Sequence, residues 1–403
     1  RIPKDQTEAE DHLRKRFGAG GSAPLKSSLV EEVARNLTDL GEGQNLVIDK
    51  PEILALIDVL TLTVDLDIRS HYLYGRYRKL ERGIPQTKWP CRACKGRGCE
   101  KCEHTGLQYK SSVQGLIGDP LLEMFGSDEH AFHGMGREDI DVRCLGRGRP
   151  FVIEMKKPVK RNIDPEKILQ AINSSADGRI EVSDIRSSNR SEVVRVKDTP
   201  AEKSYTIRYK IEAITESEFD QLTQVMEIPE KNQERNRRRK NHHRRKRPEV
   251  EPEPEVDFTS MKKAELVELC VERGLAKTGT KDVLIERLSS YKEETRPLPD
   301  MEYVMEIMTN LQGCTLAQRT PERVAHRRAD KIRKRKVLET SNPSIEIGED
   351  GNMIAEFSLR CESGTYVKET VHGDSGRTQP SVASLIKAKC TVEWLDVADI
   401  HAD

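Results

Sequence analysis

The sequence predicts an α+β protein of more than one domain, and three observations carry that expectation. Stretches such as Leu60 to Ile68, Glu202 to Ala213 and Ile354 to Cys361 alternate apolar and polar residues with the period of a half-buried strand. Others place apolar residues at helical spacing: Ser27 to Leu40, Ile163 to Ile172, Met261 to Arg273 and Met301 to Leu311. A chain of 403 residues also exceeds what one ordinary core holds, so two or three domains are expected.

Charge and composition narrow the class. Charged residues make up 34% and aromatic ones 4%, but Lys plus Arg and Asp plus Glu both number 68, so net charge says nothing about partners and only its distribution can. No apolar run approaches the roughly 18–20 residues of a transmembrane helix. The chain opens Arg1-Ile2-Pro3-Lys4, without an initiating Met or an apolar leader, so an upstream portion is expected to be missing. Nine cysteines, four clustered and five scattered, suit a reducing cytoplasm better than a disulfide framework.

Residues 1–22 read as a frayed start. Ser27 to Leu40 is a helix, Asn45 to Asp49 a short strand, Ile53 to Leu60 apolar along one helical or strand face, and Leu60 to Ile68 a strand; together they make a small α/β unit. Tyr72, Tyr74 and Tyr77 are interleaved with Arg76, Arg78, Lys79 and Arg82. Such mixing can stack bases and hold phosphates, or can simply close a domain edge.

Cys91-x-x-Cys94-x4-Cys99-x-x-Cys102 is the most specific local signal. Two knuckles supply four soft thiolates, enough for one tetrahedral zinc, and with no open coordination position the site reads as structural. Ser111 to Phe125 follows as a helix capped by Ser112 and broken or kinked at Pro120. The loop Phe132 to Arg143 then carries Gly134, Gly136, Arg137, Glu138, Asp139 and Asp141 into the strand Arg149 to Met155. Ile180 to Ile185 and Glu192 to Val196 read as short strands. In the strand from Glu202, Tyr205, Ile207, Tyr209 and Ile211 share a face.

Lys231 to Arg247 holds ten Lys or Arg and one Glu, and Glu249 to Asp257 alternates acids with prolines; neither can bury enough to fold. Residues 258–292 form a separate helix–extended–helix unit. Its Leu266, Leu269, Gly274, Leu275, Gly279, Thr280, Lys281, Leu284 and Leu288 resemble the SAP motif, a nucleic-acid-binding module. Gln318 to Lys336 is intensely basic but punctuated by apolar residues, which suits an ordered phosphate-binding strip. Gly364 to Glu369 turns toward a helix or loop, and Gly373 to Thr378 is a polar loop.

Taken together, the segments Tyr74 to Leu80, the cysteine knuckles, Phe132 to Arg143, Gly148 to Phe151, Arg319-Thr320-Pro321, His326 to Asp330 and Gly373 to Thr378 resemble archaeal tRNA pseudouridine synthases that act on the TΨC arm. The resemblance implies a mixed-sheet catalytic domain with a cleft, preceded by a THUMP-containing region of which residues 1–86 would be the remaining part. That region is followed by a zinc knuckle at 87–110 and a catalytic domain in two parts (111–229 and 297–403); the linker at 230–257 and the SAP-like unit at 258–296 depart from the family pattern and read as an insertion expected to add RNA affinity rather than chemistry.

Residue by residue, Gly136-Arg137-Glu138-Asp139 resembles the motif that ends in the catalytic aspartate, which implies Asp139 rather than Asp141. Lys203-Ser204-Tyr205 resembles the segment whose tyrosine packs on the target base. Gly364-Thr365-Tyr366-Val367-Lys368 resembles the segment whose basic residue pairs with the aspartate. Arg137 would help hold RNA, and Arg319, Arg323, His326, Arg327 and Arg328 would contact it. The implied reaction at tRNA positions 54 and/or 55 needs a flipped uridine and one carboxylate. No cofactor is expected beyond a structural zinc, and a cytoplasmic monomer bound to tRNA is expected.

Two rival readings use the same residues. Asp141, Glu154 and Lys156 match the spacing of a magnesium-dependent nuclease. A non-catalytic RNA-binding protein would also account for the knuckle, the SAP-like unit and the basic strips.

Overall fold

In the computed structural model the described residues are 4–19, 23–39, 47, 50–58, 61–223, 258–291, 295–326 and 328–402. The strand expected at Asn45 to Asp49, the charged linker at 230–257 and Arg327 fall wholly or largely outside them. The chain separates into two compact units, residues 1–140 with 147–199 and residues 141–146 with 200–403.

The first unit opens with helices α1 (Lys4–Arg16) and α2 (Leu25–Asp39), so the expected frayed start is helical from Lys4. Neither helix buries a residue. Strands β1 (Ile53–Asp58) and β2 (Thr63–Ile68) form an antiparallel hairpin, which settles the ambiguous Ile53 run as a strand. The main sheet runs β4–β5–β3–β6, with β3 at His71–Lys79, β4 at Glu129–Gly134, β5 at Arg143–Lys156 and β6 at Ile180–Ser188. Residues 143–146 of β5 belong to the second unit and the rest to the first.

Helices α3 (Val113–Phe125) and α4 (Pro165–Ala176) supply the apolar partners of this sheet. Ile117, Leu121, Phe125, Ile168 and Ile172 join Tyr77, Phe151, Ile153 and Met155 in one buried cluster. Ser112 caps α3, accepting from the Gly115 N–H, and the helix runs on through Pro120 instead of breaking there. Glu192 to Val196 is not a strand. It lies in helix α5 (Arg190–Asp198), which Asn189 caps through the Glu192 N–H while Val193 and Val196 turn inward. That three-residue spacing suits a helix face, and the side-chain cap decides between the two periods.

The second unit carries a mixed sheet ordered β11–β8–β9–β10–β7–β12–β5. Its members are β7 (Glu202–Glu212), β8 (Thr315–Arg319), β9 (Ile332–Ile347), β10 (Met353–Cys361), β11 (Thr378–Gln379) and β12 (Lys389–His401). Neighbours are antiparallel except at β12 and β5, where Asp396 and Val397 pair in parallel with Arg143 and Cys144. The alternation seen in the sequence sets the register: Ile207, Tyr209 and Ile211 of β7 are fully buried beside Ala355, Phe357 and Leu359 of β10.

Helix α6 (Glu216–Thr223) follows β7. Among the described residues the next two, α7 (Lys263–Glu272) and α8 (Lys281–Ser290), make the SAP-like hairpin, with Leu266, Cys270, Leu284 and Leu288 as its private core. Thr280 caps α8, as its position before the apolar run requires. Arg287 Nη1 donates to the Ala276 and Thr278 carbonyls of the extended connector. The last helices are α9 (Met301–Asn310), α10 (Glu322–Ala325), α11 (Val367–His372) and α12 (Val382–Ile386).

Candidate active site

The loop Met135 to Val142 leaves β4 and enters β5, and buried charges hold it from behind. Tyr77 and Lys79, two apart on β3, share a face and have no exposed surface. The Tyr77 hydroxyl lies 2.9 Å from both carboxylate oxygens of Glu138. Arg149 Nε is 2.8 Å from Glu138 Oε2, in a pair whose side chains are 1% and 0% exposed. Arg149 Nη1 also donates to the Met135 carbonyl at 2.7 Å. Gln86 donates to the Tyr77 hydroxyl at 2.8 Å and to the Gly136 carbonyl at 3.0 Å. Lys79 Nζ donates to the carbonyls of Ile84, Asp139 and Ile140 at 2.7, 3.3 and 3.0 Å. Gly136 takes φ +71°, a conformation that L side chains rarely adopt, just before Arg137.

Asp139 itself is half-buried and Arg137 is exposed. The Arg137 guanidinium sits 5.6 Å above the Trp89 ring, and Trp89 meets Tyr109 edge-on at 5.5 Å. Trp89 lies two residues before the first cysteine of the knuckle. The knuckle is closed by a Pro90–Leu107 bridge, with Cys91 N–H to Gly106 O at 2.7 Å and Gln108 N–H to Trp89 O at 2.8 Å.

The knuckle passes a geometric test for a metal. The four Sγ atoms of Cys91, Cys94, Cys99 and Cys102 lie within 4.8 Å of one another. Cys94 to Cys102 is 3.8 Å and Cys99 to Cys102 is 3.7 Å. A tetrahedron with Zn–S near 2.3 Å needs S···S of about 3.8 Å. Backbone N–H groups of Gly98 and Cys99 point at Cys94 Sγ and Cys102 Sγ at 3.2 and 3.3 Å, as suits thiolate acceptors. A Cβ at Gly98, where φ is +88°, would stand 2.8 Å from the His104 carbonyl, so the fold over the metal position needs glycine there.

In the second unit, α11 brings Lys368 Nζ to 2.6 Å from Asp141 Oδ2. Desolvation pushes the Asp141 carboxyl up, but the hydrogen bond and charge of Lys368, with Arg323 adding to them, hold it below the usual carboxylate range. The resemblance puts this lysine on the catalytic aspartate; the hydrogen bond here goes to Asp141, two residues past Asp139. Arg143 grips Asp396 from Nε and Nη2 at 3.1 and 2.6 Å, fixing the start of β5.

Buried Gln318 clamps Tyr366, donating to its carbonyl and accepting from its N–H, each at 2.9 Å. Tyr366 OH accepts from Arg328 Nη1 at 3.3 Å. Tyr205 stands half-buried near the start of β7, opposite Leu359 and Val397.

The candidate RNA contacts divide. Arg319 is buried and forked onto Asp330, at 3.1 Å from Nε and 2.7 Å from Nη2, with Arg377 Nη2 3.5 Å from the same carboxylate. Arg323 pairs at 2.6 Å with the buried Glu369. His326 and Arg328 are exposed. So are Lys334 and Lys336, which alternate on one face of β9.

Lys79, expected among cations that could hold phosphates, is instead fully buried with its ammonium on backbone carbonyls, and Tyr77 beside it is buried too; Glu138 and Arg149 were given no role by the sequence, and Gln86 drew no notice. Of the residues in the nuclease reading, Asp141 pairs with Lys368. Glu154 meets His133 at 3.3 Å and Tyr72 at 3.3 Å, and Lys156 pairs with Glu129 at 2.9 Å.

Comparison with known proteins identifies the family. Residues 72–273 and 292–401 match the family model described as Pus10, C-terminal, and residues 257–292 match the SAP domain. A tRNA pseudouridine synthase Pus10 of Methanothrix thermoacetophila is 35% identical over 377 residues, covering 94% of this chain and 63% of that protein. That of Methanocaldococcus jannaschii is 35% identical over 351 residues, covering 87% and 57%. That of Methanosphaera stadtmanae is 30% identical over 409 residues, covering 98% and 78%. The chain thus spans about three fifths of the first two relatives. With its knuckle, its Arg137-Glu138-Asp139 loop and its Lys368 helix all inside the matched segments, the chain belongs to the Pus10 family.

Proposed function

We propose that this protein is a tRNA pseudouridine synthase, modifying position 54 and/or 55 in the TΨC arm, and that Asp139 is the catalytic carboxylate. The observation that carries the reading is the loop itself. Arg137, Glu138 and Asp139 occupy a turn whose middle residue is tied into a buried ion pair, so the aspartate is set on a rigid base. Isomerisation breaks the N-glycosidic bond of a flipped uridine, turns the base and re-forms the link through carbon. One carboxylate at the ribose suffices, and neither cofactor nor catalytic metal enters. Tyr205 would stack on the extruded base and offset part of the few kcal/mol that flipping costs. Lys368, next to Asp141, keeps the loop's second carboxylate ionised and supplies a cation near the RNA backbone.

Arg319 serves the scaffold in this reading, while His326, Arg328, Lys334 and Lys336 offer exposed cations to phosphates, with Arg137 beside the uridine. The SAP-like hairpin adds RNA affinity and no chemistry. The knuckle holds one structural zinc, residues 1–86 are part of a THUMP region, and the protein works in the cytoplasm as a monomer. No helix among the described residues is long and apolar enough to cross a membrane.

The test is an in vitro reaction on unmodified tRNA transcript with EDTA, mapping pseudouridine by carbodiimide-blocked primer extension. Asp139→Ala is expected to abolish the product while still binding tRNA, and Asp141→Asn to slow it without abolishing it. Product from Asp139→Ala and none from Asp141→Asn moves the role to Asp141. No product from wild type despite tight binding leaves an RNA-binding protein.

A further inference from the structure

The structure assigns to Lys79 a role in the reaction, as the positioning residue that fixes the Asp139 backbone, with Tyr77, Gln86 and Arg149 as its supports. This inference rests on Asp139 being the catalytic carboxylate. Lys79 is fully buried, although lysine is rarely so unless paired. Its ammonium donates to three carbonyls: Ile84, at the end of the turn that follows β3, and Asp139 and Ile140 in the catalytic loop. The Gly83 N–H donates to the same Ile140 carbonyl at 2.8 Å, so the 83–84 turn and the aspartate's peptides are bound to one another around a single cation.

The residues before Asp139 are held as firmly. Glu138 accepts from the Tyr77 hydroxyl and forms an ion pair with Arg149, the Gly136 carbonyl accepts from Gln86, and the Met135 carbonyl accepts from Arg149. The backbone carbonyls of residues 135, 136, 139 and 140 are therefore all acceptors of buried or largely buried side chains. A loop needs no such grip merely to turn. Gly134 and Gly136 would allow the bend, and exposed loops leave their carbonyls to water. The cost of burying an ammonium and a guanidinium here is justified by a constraint on position. A carboxylate that must meet a ribose carbon tolerates little displacement, and an error near 1 Å can cost about 100-fold in rate.

The experiment compares wild type with Lys79→Met, which keeps the aliphatic stem and removes the donors. Three quantities are read: the single-turnover rate of pseudouridine formation, the tRNA dissociation constant, and amide hydrogen exchange across residues 137–142 and 258–291. The expected result is a rate about 10- to 100-fold lower, a dissociation constant within about two-fold, and faster exchange in 137–142 with the SAP-like segment unchanged. A folded Lys79→Met protein with wild-type rate and exchange overturns the assignment, as does a loss confined to melting temperature.

Should Lys79→Met fail to fold, Tyr77→Phe and Gln86→Leu carry the test. Each removes one or two of the supports, and each is expected to lower the rate about 3- to 10-fold at constant affinity; unchanged rates in both overturn it. If wild type itself makes no pseudouridine, the functional reading fails, and the exchange pattern alone judges whether Lys79 grips the loop.

Discussion

Arg323 and Glu369 form an ion pair whose two halves are not equivalent, and this predicts an asymmetry in stability. The Glu369 side chain is 1% exposed and that of Arg323 38%. Deleting Arg323 strands a buried carboxylate, for which losses of about 3–5 kcal/mol are typical; the partial exposure of Arg323 argues for about 3 kcal/mol. Changing Glu369 to Gln keeps a hydrogen-bond acceptor at 2.6 Å and lets the arginine turn to water, so about 1 kcal/mol is expected. The double variant Arg323→Ala/Glu369→Gln leaves no buried charge and should be more stable than Arg323→Ala alone.

The assay is reversible denaturant unfolding in a Trp89→Phe background, where Trp394 on β12 is the remaining indole and reports the unit that contains the pair. Equal losses for the two single variants, or a double variant no better than Arg323→Ala, would refute the reasoning. A fall of about one in the salt slope of tRNA binding on Arg323→Ala would show that the side chain also meets a phosphate.

Further outcomes follow from the other contacts. Lys368→Met should let the Asp141 carboxyl rise toward its ordinary range, read by carbon-detected titration, and should slow pseudouridine formation; an unmoved titration would mean that the Lys368 contact does not form in solution. Glu192 is held at about 2, chiefly by Arg186 with Ser188 and Arg195 adding and burial opposing. Its folded value lies below the unfolded one, so its stabilisation is full above about pH 4.5 and disappears as pH falls toward 2. Because both arginines are about half-exposed, Glu192→Gln should cost only about 1 kcal/mol at pH 7, and the difference from wild type should shrink between pH 5 and pH 3. Purified protein should carry one zinc per chain by mass spectrometry of the native species, and Cys102→Ser should abolish it. Arg328→Ala and Lys334→Ala should each lower the salt slope of tRNA binding by about one.

Much of the candidate site's framework could be read from the residues, because its groups are local in sequence. The four cysteines lie within twelve positions, the Arg137-Glu138-Asp139 run is contiguous, and Ser112 and Thr280 announce their helices as caps. Period two was legible because one face of β10 is buried throughout and that of β7 from Ile207 onward. The failures share a physical cause. Glu192 to Val196 is too short for periodicity to separate strand from helix, and Pro120 is accommodated by packing that sequence does not display. Lys79, Glu138 and Arg149 look like surface charges until the fold closes over them. Nothing in the spelling of Arg319 distinguishes an arginine forked onto Asp330 from one waiting for a phosphate.

The stacking of Arg137 on Trp89 gives the molecule an optical gauge of its own. Its two indoles lie far apart in sequence, and with Trp394 replaced by Phe the remaining one sits beside the cysteine knuckle and under Arg137 of the Asp139 loop. A guanidinium over an indole face perturbs its emission, and so does loosening of the chain that carries it. Metal release and arrival of RNA at Arg137 would therefore be recorded by the same chromophore, in the protein's own light and without a label. Titrating with chelator and then with tRNA would trace, in one cuvette, whether the knuckle and the loop respond as a single mechanical element.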